Sequence, residues 1–278
     1  MARRSVLFSP GDQSDLMEKA PEAGADVVAF DLEDAVAPSA KASARELVND
    51  ALHEIDPDCE VCVRVNPPGV AAEDDLEGIL TGEPHLDSVM LPKVSGADDV
   101  TTLSDLLGEH GADLPVLATV ESADGVLHAE EIARAEATDA VLFGAEDLAA
   151  DLGATRTDEG REVLYARQRV VTAASGAGVD AIDTLWTDFE DTAGLRADTG
   201  RGIEMGYDGK MAIHPRQVTV INEAFTPDRE RIEWAQSVLE ARDRAESGVF
   251  EVDGEMIDAP LIAQAERILE RAEAADAI

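Results

Sequence analysis

Glu121 and Asp147 each follow a short apolar run, PVLATV at 115–120 and AVLFGAE at 140–146. Runs of this length without strict alternation read as strands buried on both faces of a parallel sheet. Two carboxylates at the exits of such strands call for a cation between them, because burying like charges together is unfavourable. Hard carboxylate oxygens suit Mg²⁺, which takes one or two protein carboxylates and fills its other positions with substrate and water. The alternative is that both acids are helix N-caps, a position that Asp favours.

The elements that would position this pair follow from the rest of the chain. Comparable β-rich runs occupy 5–9, 26–31, 61–65, 88–92, 116–120, 140–143, 181–185 and 210–213. Helical stretches rich in Ala, Glu, Leu and Arg lie between them, for example 125–133 and 161–171. Eight strands alternating with helices predict a (β/α)₈ TIM barrel, and 278 residues is an ordinary length for one. A doubly wound open sheet is the second choice, but no G-x-G-x-x-G follows the first strand. In a barrel all strand exits share one face, where active sites are built. Those exits carry Ser9, Pro10, Gly11 and Asp12, then Asp31, Glu33 and Asp34, then Arg64 and Asn66. Lys93, Glu121, Glu146, Asp147, Asp188 and His214 follow.

A catalytic domain over 1–226 is expected to be followed by a small extension over 227–278. Pro227 opens a helix reaching about Gly248, and Asp253-Gly254 between apolar residues marks a hairpin. A last helix starts at 258–260 and runs to about Ala275. This extension is too small to fold alone, so it is expected to pack on the barrel or on a neighbouring subunit.

Composition narrows the partners. The net charge of −38 repels nucleic acid and anionic membranes. Of 22 basic residues only Lys19, Lys41, Lys93 and Lys210 are lysines. An acidic chain this poor in Lys looks like proteins of a salt-saturated, halophilic cytoplasm, where salt screens self-repulsion. The scarce lysines all fall in or beside strand-end segments, which singles them out. Cys59 and Cys62 form an isolated C-x-x-C entering a strand, where residues three apart face opposite ways. A structural role is therefore expected of them. No disulfide framework is implied, in keeping with a reducing cytosol. Residues 1–5 lead into a strand rather than an apolar signal segment, and no run reaches membrane-spanning length. The expectation is a cytoplasmic protein.

The segments RSVLFSPG (4–11), FDLEDAV (30–36), VRVN (63–66) and LPK (91–93) resemble the citrate lyase beta-subunit-like lyases of the HpcH/HpaI aldolase superfamily. So do VESADGV (120–126), FGAEDLAADLG (143–153), DGKMAIHP (208–215) and MIDAP (256–260). The resemblance spans essentially the whole chain in order. It implies a Mg²⁺-dependent TIM barrel, with Mn²⁺ as a possible substitute, that makes or breaks a C–C bond beside a coenzyme A thioester. Malyl-CoA, methylmalyl-CoA and citramalyl-CoA would be the substrates, giving an acyl-CoA and a 2-oxo acid. The alternatives within the resemblance are a malyl-CoA thioesterase releasing malate and a citrate lyase beta subunit working in a complex. A homo-oligomer, trimer or hexamer, is also implied.

Matched by motif, Glu121 and Asp147 would be the Mg²⁺ ligands, and Glu33 and Asp34 would hold metal-bound waters. Arg64 interrupts an apolar strand, where an unpaired Arg is rarely tolerated. It would hold the developing enolate oxygen or the oxo-acid carboxylate, or more plainly pair with Glu33. Asp258 would be the acid–base group, supplied by a neighbouring subunit; a plain N-cap before Pro260 is its alternative. Lys19 would meet the CoA phosphates, with Pro10 and Gly11 allowing close backbone approach. Lys93 would point into the barrel mouth or form an ion pair. His214 reads as a satisfied polar group rather than a base, and Asp188 is left without a role.

Overall fold

Eight parallel strands close into a barrel in sequence order. They are β1 (Ser5–Pro10), β2 (Val27–Asp31), β3 (Glu60–Arg64), β4 (Ser88–Leu91), β5 (Val116–Val120), β6 (Thr138–Phe143), β7 (Asp180–Asp183) and β8 (Gly209–Ala212). The seam pairs Val6 with Met211 and Leu7 with Ala212. This is the TIM-barrel fold expected from the alternation, and the open sheet is excluded. The computed structural model describes residues 2–55, 57–245, 247–275 and 277–278. It divides into two units, Arg3–Ile221 and Asn222–Ile278 with the N-terminal dipeptide.

The helices of the first unit are α1 (Ser14–Lys19), α2 (Lys41–Glu54), α3 (Ala72–Ile79), α4 (Ala97–Glu109), α5 (Ala123–Leu127) and α6 (Ala129–Ala133). Then come α7 (Ala145–Leu152), α8 (Leu164–Ala177), α9 (Thr192–Met205) and α10 (Pro215–Phe225), the last running past the boundary. Two depart from expectation. The single helix predicted over 125–133 is two, because His128 at φ −100° and ψ 11° breaks the ladder between α5 and α6. The helix expected from 161 starts at Leu164, since Glu162 is drawn back to Arg156 and Thr157.

The strand pleat explains how one sequence fills the barrel and arms its mouth. Val6, Ala29, Cys62, Met90, Leu117, Leu142, Ile182 and Met211, one from each strand, belong to the buried apolar core. Side chains two residues apart share a face. Two positions further along stand Phe8, Asp31, Arg64, Thr119, Gly144, Thr184 and Ile213, and all seven line one cavity. An apolar layer thus supports a layer that carries chemistry.

Cys62 is part of the apolar layer, and burial pushes its thiol up to about 12. Cys59 is also a free thiol. Cys62 thus packs in the core, as a structural role requires.

The second unit holds α11 (Arg229–Arg244), the hairpin β9 (Phe250–Val252) and β10 (Glu255–Ile257), and α12 (Ala259–Ala274). Asp253 and Gly254 have φ of 52° and 88°, the paired positive values that a two-residue hairpin turn needs. Ala235, Val238, Val252, Ile257, Ala265 and Ile268 form its own core. Among the described residues, no helix is long and apolar enough to cross a membrane.

Candidate active site

The cavity at the strand exits has a volume of about 390 Å³. Pro10, Asp31, Asp34, Arg64, Thr119, Glu121, Glu146 and Asp147 line it beside apolar Phe8, Ala35, Leu185, Met211 and Ile213.

Glu121 is the first residue after β5 and is only 5% exposed. Its Oε1 accepts the backbone N–H of Lys93 at 2.7 Å. Burial is the main force on its carboxyl, opposed by that hydrogen bond and helped by the charge of Asp147; the result is a pKa pushed up to about 7. Gly144 opposite is required for this packing. A Cβ there would lie 2.5 Å from Glu121 Oε2 and 2.6 Å from its Cβ.

Asp147 differs from the expectation of a buried strand exit. β6 ends at Phe143, Gly144 caps α7, and Asp147 stands in that helix's first turn, exposed to solvent. An acid is favoured there by the helix dipole. The pair is therefore one buried and one exposed carboxylate on the same cavity wall.

Arg64 ends β3 directly beside Asp31, its cross-strand partner in the register. Its Nε donates to Asp31 Oδ1 at 2.8 Å and its Nη2 to Oδ2 at 2.6 Å. The expected partner, Glu33, is farther, with Oε2 at 3.4 Å from Nη1. Burial alone would lower the guanidinium pKa; the hydrogen bonds and charge of Asp31 outweigh it and raise the value. The Phe8 ring lies 4.9 Å from the guanidinium carbon, a cation–π contact. Asp31 was not singled out as Arg64's partner from the sequence, although counting by two from Ala29 reaches it.

Glu33 is buried and pairs with Lys93, whose ammonium also stands 3.4 Å from Asp34 Oδ1. Lys41, singled out only by lysine scarcity, fixes this loop. Its Nζ donates to Leu32 O at 2.5 Å, Glu33 O at 2.6 Å and Asn66 Oδ1 at 2.9 Å. Thr119 Oγ1 is buried without a hydrogen-bond partner and belongs to the cavity wall. Such an orphan suits a polar ligand.

Other candidates are placed differently. Pro10 lines the cavity, but Gly11 is buried and serves packing rather than an open approach. Its N–H bonds Asp31 O at 2.9 Å, and a Cβ on it would sit 2.8 Å from that oxygen. Lys19 is exposed at the last position of α1 and is not among the cavity-lining residues. His214 Nδ1 accepts the Arg216 N–H at 3.1 Å, and its ring stacks on Phe189, the satisfied state expected. Asp188 Oδ1 accepts the N–H groups of Glu190 and Asp191, a turn-forming role. In the second unit, Asp258 precedes α12, exposed, and its side chain makes no capping hydrogen bond.

Comparison with known proteins agrees with this architecture. Residues 4–215 match the HpcH/HpaI aldolase/citrate lyase family. Residues 161–275 match the carbon–carbon bond lyases of the TIM-barrel fold. A citrate lyase subunit beta-like protein of Deinococcus radiodurans is 40% identical over 96% of each chain. The mitochondrial citramalyl-CoA lyase of Homo sapiens is 37% identical over 95% of this chain and 84% of its own. The CitE protein of Mycobacterium tuberculosis, solved with magnesium, acetoacetate and coenzyme A, superposes with a TM-score of 0.84 at 37% identity, covering 98% of both chains. The chain is thus an enzyme of the carbon–carbon lyase class and belongs to the HpcH/HpaI aldolase/citrate lyase family.

Proposed function

We propose that this enzyme is a Mg²⁺-dependent acyl-CoA lyase. It would cleave a 3-hydroxyacyl-CoA of the malyl-CoA, methylmalyl-CoA or citramalyl-CoA type into an acyl-CoA and a 2-oxo acid. The observation that carries this reading is the cavity that brings together Glu121, Asp147 and Arg64. Glu121's carboxyl is raised mainly by burial and further by the charge of Asp147, and a cation between the two would relieve both. Mg²⁺ needs only one or two protein carboxylates and keeps its other positions for substrate and water. Glu121 and Asp147 would hold the ion, and Mn²⁺ could replace it. When bound, it supplies Lewis acidity to the oxo-acid oxygens.

Arg64 has the rest of the task at the reacting atoms. Asp31 occupies its Nε and Nη2; Nη1, which has only the longer 3.4 Å ion pair to Glu33, would meet a developing enolate oxygen or the oxo-acid carboxylate. In cleavage the substrate hydroxyl loses its proton, the C–C electron pair passes to the thioester α-carbon, and a protein acid protonates that carbon. Asp258 is proposed as that acid, acting from a neighbouring subunit of a homo-oligomer, trimer or hexamer. Its carboxylate is not spent on capping α12, which supports the role. On this reading residues 1–226 form the catalytic domain and 227–278 the extension that donates Asp258. Glu33 and Asp34 complete the acidic wall, and Lys19 is proposed to meet the CoA phosphates.

The test is an acyl-CoA panel with Mg²⁺ in multimolar KCl, chosen for the chain's acidity, with products resolved by mass spectrometry. Acyl-CoA plus an equal amount of 2-oxo acid is expected. Free CoA thiol and malate without 2-oxo acid would instead establish the thioesterase. Turnover only with an added acyl-carrier partner would establish the citrate lyase subunit.

A further inference from the structure

Lys93, two residues past β4, has φ 56°. Side chains other than glycine and asparagine rarely enter this left-handed region, so its surroundings impose the conformation. Both ends of the residue show what they impose it for. The backbone N–H donates to Glu121 Oε1 at 2.7 Å. The ammonium pairs with Glu33 Oε1 and reaches Asp34. The angle φ sets the dihedral between N–H and Cβ, and in this conformation both contacts are made at once.

Glu33 has a second oxygen, 3.4 Å from Arg64 Nη1. That oxygen also accepts the Asp34 N–H at 3.2 Å, so Glu33 is shared between Lys93 on one oxygen and Arg64 on the other. Lys93 is 44% exposed at its side chain, yet it meets this buried acid and takes part of its charge from the arginine.

We infer that Lys93 is a positioning residue: its left-handed backbone fixes Glu121, and its ammonium shares Glu33 with Arg64 and so loosens that acid's hold on Nη1. The inference rests on the metal role proposed for Glu121. It separates the residue into two functions, a backbone one felt by the cation and a side-chain one felt by the oxo acid.

Three substitutions resolve them, with Mn²⁺ binding followed by electron paramagnetic resonance beside steady-state kinetics. Lys93→Gly keeps the left-handed backbone and its N–H but removes the charge. Its Mn²⁺ affinity should stay within about threefold of wild type, while its KM for the 2-oxo acid in the condensation direction rises about tenfold. Lys93→Val makes the left-handed conformation unfavourable and should weaken Mn²⁺ binding about tenfold or more. Lys93→Arg should restore KM toward wild type. If Lys93→Val does not fold, Lys93→Ala makes the same comparison.

Equal Mn²⁺ affinity in the Gly and Val variants, or an Arg variant no better than Gly, overturns the inference. A wild type whose Mn²⁺ binding is unchanged by Glu121→Ala sinks the metal reading and this inference with it. Wild-type binding that depends on Glu121 and survives Lys93→Val overturns the inference alone.

Discussion

The Arg64 guanidinium meets the Asp31 carboxylate edge to edge, Nε on one oxygen at 2.8 Å and Nη2 on the other at 2.6 Å. The two residues are register partners on adjacent strands, so the geometry is built into the sheet. Lysine cannot reproduce the planar fork. Arg64→Lys should lower kcat/KM by about 10²–10³-fold, the cost of losing one oriented donor to a developing oxyanion. Its melting temperature should stay close to wild type. Cleavage kinetics and calorimetry on the same preparation check both halves.

Gly144 touches the space that Glu121 occupies. Gly144→Ala must displace that carboxylate or shift β6, at a cost of about 1–3 kcal/mol for overpacking. Mg²⁺ should then no longer raise the melting temperature, whereas saturating Mg²⁺ should stabilise wild type by about 2.7 kcal/mol at a hundred times its Kd. Melting curves with and without the ion read this directly.

Lys41 satisfies two carbonyls and an amide at the β2 exit. Lys41→Met takes this donor from Asn66 Oδ1 and leaves Leu32 O with only Asn66 Nδ2 and Glu33 O with only the Val36 N–H, a loss of about 1–3 kcal/mol. The Glu33 loop should loosen with it, so kcat should fall although Lys41 does not line the cavity. Urea unfolding and single-turnover cleavage measure the two effects.

Asp198 sits between Lys210 and Arg167, with Lys210 Nζ 2.5 Å from Oδ2 and Arg167 Nη1 3.0 Å from Oδ1. Burial would raise its pKa; Lys210 and Arg167 outweigh that and hold it well below the ordinary carboxylate range. A pKa depressed by folding gives stability that is fully present above the unfolded value, about 3.9. That stability is lost as pH falls below it toward the folded value. The unfolding free energy should therefore stay flat in this respect from neutral pH down to about 5 and decline below. Asp198→Asn should cost about 3–5 kcal/mol at pH 7, because two buried cations, Lys210 and Arg167, are left to share the one carboxylate of Asp183, and should flatten the acid decline. Denaturant titrations at several pH values decide it.

How far the sequence reaches is clear from individual residues. Glu121 and Arg64 stand out because each puts a charge into an apolar strand or at its end, which only a site or a partner explains. The barrel was legible for a related reason, since strands covered on both faces lose the polar alternation of exposed ones. Asp147 was read as a strand exit, but a glycine ended the strand and began a helix three residues earlier, and apolar runs do not mark that point. The Arg64–Asp31 pair depends on register, which follows from strand pairing rather than from either strand alone. The left-handed Lys93 was beyond reach, because tertiary surroundings and not lysine's own preference select it. Gly11 looked like an opening toward a ligand and proved to be the place where β1 and β2 leave the barrel in contact.

The central claim is that Glu121 and Asp147 hold a divalent cation for C–C cleavage. Its most direct measurement is the release of 2-oxo acid from malyl-CoA or citramalyl-CoA by wild type and Glu121→Ala, each with Mg²⁺ and with chelator. The account predicts one 2-oxo acid per thioester consumed by wild type, abolished by chelator and reduced at least about 10³-fold in Glu121→Ala. Cleavage that survives both chelation and the loss of Glu121 would contradict it.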